Sequence, residues 1–120
     1  MPVPVMNGFT SLDRIPEERV TDLITRRIIT GEKGMMVFWK MKAGAHAAAH
    51  SHPNEQIVYM VSGRMEFRLG SEWRTLGPGD VGVVPAGVEH EALFIEDTAV
   101  IDVFAPPRED FYTGGGAYLK

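Results

Sequence analysis

Four histidines sit in the middle of the 120-residue chain: His46, His50, His52 and His90. His50-Ser51-His52 is the informative pair. On an extended strand, residues i and i+2 project from the same face, so two imidazoles spaced this way can close on one metal ion. The other reading of such a pair is two solvated loop histidines. Pro53-Asn54-Glu55 follows as a turn, and Gln56 re-enters a strand. His90 comes just after the turn Pro85-Ala86-Gly87 and delivers one more imidazole from a different hairpin. A metal site needs such convergence from distant segments. His46 shares the parity of His50 and His52 if the strand is unbroken, and it is expected as a rim or solvated histidine.

The elements that must position these side chains are short strands. Residues 1–19 read as an N-terminal arm. It carries two early prolines and Asn7-Gly8, and a loop or single helical turn follows at residues 11–19. Residues 20–29 fit either helical spacing, through Val20, Leu23, Ile24 and Ile28, or strand alternation, through Ile24, Arg26 and Ile28. Beyond the Gly31–Gly34 turn, Met35–Met41 and Ile57–Val61 are apolar strands. Arg64–Leu69 alternates cleanly, with Met65, Phe67 and Leu69 on one face. Gly70-Ser71 then predicts a two-residue hairpin loop of type II′. Gly77–Asp80 is a turn and Val81–Val84 a strand. Ala92–Ile95 and Ala99–Phe104 are expected to pair through Glu96-Asp97-Thr98. Pro106-Pro107 ends the pairing, because proline lacks the ladder donor. Closely spaced turns between short strands predict an all-β sandwich or barrel over residues 20–112. The stretch 113–120, with Gly114-Gly115-Gly116, reads as a flexible tail.

Composition removes whole classes of function. With no cysteine, disulfide scaffolds, thiolate metal sites and thiol nucleophiles are excluded. Twelve basic against sixteen acidic residues leave a net charge of −4, which argues against a nucleic-acid binder. No apolar run approaches the roughly 20 residues that span a bilayer. The N-terminus lacks the basic and apolar regions of a secretory signal, so the cytoplasm is the expected compartment. Thirteen glycines and eight prolines exceed average usage of about 12% and fit a turn-rich β fold.

The spacing around the histidines forms two motifs. One is Gly44-x5-His50-x-His52-x3-Gln56-x6-Gly63, and the other is Gly79-x5-Pro85-x-Gly87-x2-His90. Together they resemble the two signature motifs of the cupin superfamily, over roughly residues 20–108. The resemblance implies a single-domain jelly roll, a double-stranded β-helix barrel with one divalent transition metal in its mouth. Carried onto this chain, the ligands are His50, His52, Gln56 and His90. The family usually has Glu where Gln56 stands, and often Asn where Phe94 stands. Glu55 is an alternative ligand to Gln56. Three neutral imidazoles and an amide leave the ion's charge uncancelled, which strengthens it as a Lewis acid toward anionic ligands and disfavours a redox oxygenase. The donor set suits Ni, Fe(II), Mn, Co or Zn. Cupins of this size often form homodimers through N-terminal strands, a role the proline-bearing arm could serve.

Two further segments, His50–Ile57 and Asp102–Phe111, look like the KdgF-like cupins of pectin and alginate breakdown. That resemblance implies ring opening of 4,5-unsaturated monouronates to linear keto-uronates. Asp102 and Phe104 share one strand face by parity. A carboxylate in an apolar barrel mouth would have a raised pKa and serve as general acid or base, unless Asp102 is in an ordinary ion pair or solvated. Phe104 would pack against the sugar ring or belong to the core. Arg108, just past the rigid prolines, can fork onto a substrate carboxylate, or pair with Glu109 or Asp110 on the surface. The expected partner is thus a small anionic sugar acid. The other readings are a different metal-dependent cupin enzyme, such as a dioxygenase or isomerase, and a non-catalytic sugar-binding cupin.

Overall fold

Alternation turns the apolar runs into half-buried strands. In a computed structural model, which describes residues 3–112 and 114–120, every second side chain of Ile24–Thr30 and Met35–Met41 is buried. The ambiguous segment 20–29 is therefore not helix but the end of one strand, a turn at Asp22-Leu23 and the start of a second strand, in which Arg26 takes an inward position. Ten strands form: β1 (Glu18–Thr21), β2 (Ile24–Thr30), β3 (Met35–Met41), β4 (His46–His50), β5 (Glu55–Ser62), β6 (Met65–Leu69), β7 (Glu72–Leu76), β8 (Val81–Val84), β9 (His90–Phe94) and β10 (Thr98–Ala105). A 3-10 turn at Leu12–Arg14 precedes them, and one helical turn, α1 (Glu109–Tyr112), follows.

The strands build two antiparallel sheets, ordered β1-β2-β3-β10-β5-β8 and β4-β9-β6-β7. This is the jelly-roll architecture that the sequence predicts. The core between the sheets holds Ile24, Val37, Trp39, Met60, Met65 and Phe94, among others. The β6–β7 hairpin has the expected two-residue loop: Leu69 faces Glu72, and Gly70 carries φ +60°. No described non-glycine residue has positive φ, so Ser71 excludes type I′ and the loop is type II′. No helix among the described residues is long and apolar enough to cross a membrane.

Two expectations need correction. The segments 92–95 and 99–104 do not pair with each other. Both edges of β9 are taken by β4 and β6, and both edges of β10 by β3 and β5. Residues 95–97 carry the chain from one sheet to the other, so Phe94 and Val100 enter the core from different sheets instead of sharing a ladder. The stretch 114–120 is not a loose tail. Leu119 is buried and bridges to Ala47, while His46 and Lys120 exchange backbone hydrogen bonds of 2.8 and 2.7 Å. The N-terminal arm also lies on its own chain, with Val5 bridging to Thr30. Met1 and Pro2 of that arm, and Thr113 of the supposed tail, lie outside the described residues.

Candidate metal centre

His50 ends β4, His90 begins β9, and the two face each other across the ladder. A bulge puts His50 there. His46 pairs with Leu93 and Ala47 with Ala92, but the next partners are His50 and His90, so β4 spends one residue more than β9. The extra residue reverses the parity of the strand. His46 therefore points outward despite its even spacing from His50, and its Nε2 lies 2.8 Å from Glu91 on the outer face. Arg68 reaches the other oxygen of Glu91 at 3.3 Å. These contacts, His46 first, hold the Glu91 carboxyl below its ordinary pKa.

His52 lies in the loop after β4. That loop is tied to the second motif by a 2.8 Å bond from the Gly87 amide to the His52 carbonyl. The reactive nitrogens of His50, His52 and His90 all fall within 4.8 Å of one another. Gln56 points inward from β5 and is buried, while Glu55 faces out, so strand parity removes the alternative ligand. Gln56 Oε1 lies 3.1 Å from His52 Nε2.

The three rings share one protonation pattern. Each Nδ1 sits beside a backbone carbonyl: His50 to Ala48 at 2.7 Å, His52 to Asn54 at 3.0 Å and His90 to Val88 at 3.0 Å. A carbonyl only accepts, so each Nδ1 must carry the proton and each Nε2 presents a lone pair. His52 Nε2 and Gln56 Oε1 are then two acceptors face to face. His90 Nε2 is buried with no hydrogen-bond partner among the described residues. Such a cluster of inward lone pairs, held by carbonyls behind the rings, is what a divalent cation requires. The site fits a metal ion on these grounds. Burial, more than any neighbour, lowers the pKa of all three rings, to about 4 for His50 and His90. His50 and His90 therefore stay neutral and ligand-competent well below neutrality.

Asp102 and Phe104 both face inward from β10, as parity predicts. Asp102 accepts a 2.9 Å bond from the Trp39 indole at Oδ2, while Oδ1 has no hydrogen-bond partner among the described residues. Burial pushes its pKa up to about 7, against the opposing pull of Gln56, Trp39 and Arg108. Phe104 is buried with its ring edge-on to His52 and Phe111 and under the Arg108 guanidinium. Phe104 also lines an inner cavity beside the histidines, so its ring serves the packing and faces the site at once. Arg108 is only 3% exposed, not on the surface. Its fork is taken by Asp110, through bonds of 2.9 and 2.7 Å, which leaves Nη1 buried without a hydrogen-bond partner among the described residues.

Three contributors escape sequence reasoning. Asn54 accepts from His52 and donates to the Pro106 and Pro107 carbonyls at 2.6 and 3.2 Å, joining the histidine loop to the segment that carries Arg108. Tyr118 stacks on His50. Trp39 holds Asp102. None of these has a spacing signal, since each acts through a contact between distant segments. A cavity of about 50 Å³, lined by His50, Gln56, His90, Asp102 and Arg108, lies behind the cluster. A vestibule of about 680 Å³, lined by His50, His52, Arg108, Asp110 and Tyr118, opens in front of it.

The Cupin domain family matches residues 37–104, from β3 to the end of β10. This chain belongs to the cupin family. Among curated proteins, this cupin is 35% identical over 102 residues to the pectin degradation protein KdgF of Dickeya dadantii, an overlap of 82% of this chain and 93% of that one. Among solved structures, it is similar to KdgF from Halomonas sp., with TM-score 0.82 and 35% identity over 88% of this chain and 99% of that one. An RmlC-like cupin from Shewanella frigidimarina superposes with TM-score 0.84 at 27% identity, covering 88% and 96% of the two chains.

Proposed function

We propose that this cupin is a metal-dependent enzyme that opens the ring of a 4,5-unsaturated monouronate to the linear keto-uronate. The observation that carries the reading is a buried carboxylate, Asp102, with one free oxygen in the same cavity wall as the histidine cluster and a buried guanidinium. The similarity to pectin degradation proteins supports the substrate class.

The reaction is an isomerisation. The anomeric hydroxyl loses its proton, and the bond from C1 to the ring oxygen breaks. The carbonyls form at C1 and C5, and a proton is added at C4. One proton leaves and one arrives, so a single carboxyl that alternates between acid and base can serve both ends. Asp102, with a pKa near 7, is poised to hold or give up a proton at Oδ1 near neutral pH. His50, His52, Gln56 and His90 would hold a divalent ion, which would supply Lewis acidity toward a substrate oxygen. The free Nη1 of Arg108 donates to the substrate carboxylate, and Asp110 keeps the guanidinium charged in spite of its burial. The Phe104 and Phe111 rings both lie against one side of the guanidinium. The vestibule has the size of a monosaccharide site.

The test follows loss of the ultraviolet absorbance of the 4,5-double bond. Metal-loaded protein should accelerate it, and Asp102→Asn, which keeps the shape, should cut kcat by at least about 10²-fold. No acceleration would exclude this activity, and an Asp102→Asn variant as fast as the unsubstituted enzyme would exclude Asp102 from the proton transfer.

A further inference from the structure

The segment Gly114–Lys120 adds a third neighbour to the histidine loop. It pairs with the free edge of β4: the Ala48 amide donates to the Tyr118 carbonyl at 2.8 Å, and His46 and Lys120 exchange bonds beyond it. Arg26, buried under the segment, donates to the Gly115 carbonyl at 2.9 Å. The Gly115 amide donates to the Asp110 carbonyl at 2.7 Å. These ties place the Tyr118 ring flat on the His50 ring, with centroids 3.8 Å apart and planes 18° apart. The Tyr118 hydroxyl lies 3.4 Å from Arg108 Nη2. Tyr118 lines both the inner cavity and the vestibule.

His50 needs this wall more than its partners do. His52 and His90 are buried, while His50 is half-exposed at the mouth. Its Nδ1 bond runs to Ala48, which lies in the irregular part of β4. One such bond fixes the tautomer but still allows the ring to swing. His90 covers one side of the ring, with centroids 4.2 Å apart, and Tyr118 stacks on it as well. The same Ala48 that receives the His50 proton on its carbonyl is held at its amide by the Tyr118 carbonyl.

The geometry points to Tyr118 as a positioning residue for the metal centre: its ring fixes the angle at which His50 presents Nε2. This rests on the metal-site reading above and names no substrate. The ring carries the effect, so phenylalanine replaces tyrosine and an aliphatic side chain does not. Outer contacts that orient a ligand are worth roughly tenfold or more in metal affinity.

The experiment uses the full chain and nickel ion alone, so it does not depend on the uronate activity. Calorimetric titration should give Tyr118→Phe a Kd within about twofold of the unsubstituted protein, and Tyr118→Leu a Kd roughly tenfold weaker. In the metal-free protein, the ring current of Tyr118 should move the His50 ring-proton resonances upfield. Tyr118→Leu should release that shift and Tyr118→Phe should keep it. Equal nickel affinity for Tyr118→Leu, or unmoved His50 resonances, would overturn the assignment. If leucine at position 118 unfolds the chain, a nuclear Overhauser contact between the two rings in the unsubstituted protein decides the placement, and its absence overturns it. A protein that takes up no nickel at all would overturn the metal reading itself. The ring-proton shifts would then still decide whether Tyr118 sets the His50 ring.

Discussion

Asp102 and the histidines pull the stability of the metal-free protein in opposite directions as pH changes. The folded pKa of Asp102 is raised to about 7, so the folded state holds its proton longer than the unfolded chain. Asp102 therefore costs stability as pH rises from about 4 to 7. The folded pKa values of His50 and His90 are depressed to about 4, and that of His52 is lowered too, so the unfolded chain takes up their protons first. They cost stability as pH falls below about 6.5. Three groups outweigh one, so the thermal midpoint of chelated protein should climb from pH 4.5 and level off above about pH 7, where the opposing groups cancel. In Asp102→Asn the climb should be steeper, and scanning calorimetry reads it. A second residue-level contrast separates two histidines of equal sequence parity. His46→Ala should leave nickel affinity within about twofold, because its ring faces Glu91 on the outside. His50→Ala should weaken it at least about tenfold, because a direct ligand is worth no less than the contacts that orient one.

At the scale of the element, the bulge in β4 lets His46 and His50, of equal sequence parity, face opposite sides of the sheet. Deleting Ala48 removes the extra residue between Ala47 and His50. The ladder can then run regularly, with Ala47 opposite Ala92 and His50 opposite His90 as before, and with His46 still outside. We expect the Ala48-deleted protein to keep both its β-rich circular dichroism and its nickel binding. A folded deletion variant that loses nickel would show that β4 slips in register and carries His50 to the other face. The glycines of the C-terminal segment are the other element-level lesson. Gly114 and Gly116 take φ +82° and +140°, conformations that disfavour any side chain, and a Cβ on Gly115 would lie 2.4 Å from the Asp110 carbonyl oxygen. The same composition that looks like a flexible tail is what a tight return onto β4 demands.

The whole molecule is acidic, and its vestibule repeats that balance. Glu32, Glu109 and Asp110 line it with one guanidinium, Arg108, whose fork Asp110 already occupies. Three carboxylates against one guanidinium leave −2, which the divalent ion that His50, His52, Gln56 and His90 would hold offsets. An anionic substrate would then meet little net charge on approach. For a monouronate, kcat/KM of the metal-loaded protein should therefore change less than about twofold between about 10 and 150 mM ionic strength, a range over which the screening length falls from about 30 to 8 Å. Steady-state assays at fixed pH would show it. A severalfold fall with salt would mean that attraction to Arg108 or to the ion governs capture.

The local chain determines much of this protein. Alternation in Met35–Met41 and Arg64–Leu69 gives strand and inward face together, because the pleat has period two whatever the strand pairs with. The glycines, the proline and the imidazoles of the two motifs give the barrel and its histidine cluster, because turn geometry and metal ligation are both set by residue type. What depends on neighbours far along the chain is decided by packing alone. Strand partners belong here: Ala92–Phe94 and Ala99–Phe104 separate into different sheets because each already has two other edges to satisfy. So does the direction of His46, which a single extra residue opposite β9 reverses. So do Asn54, Trp39 and Tyr118, whose places beside the site come from contacts between distant segments that no spacing records.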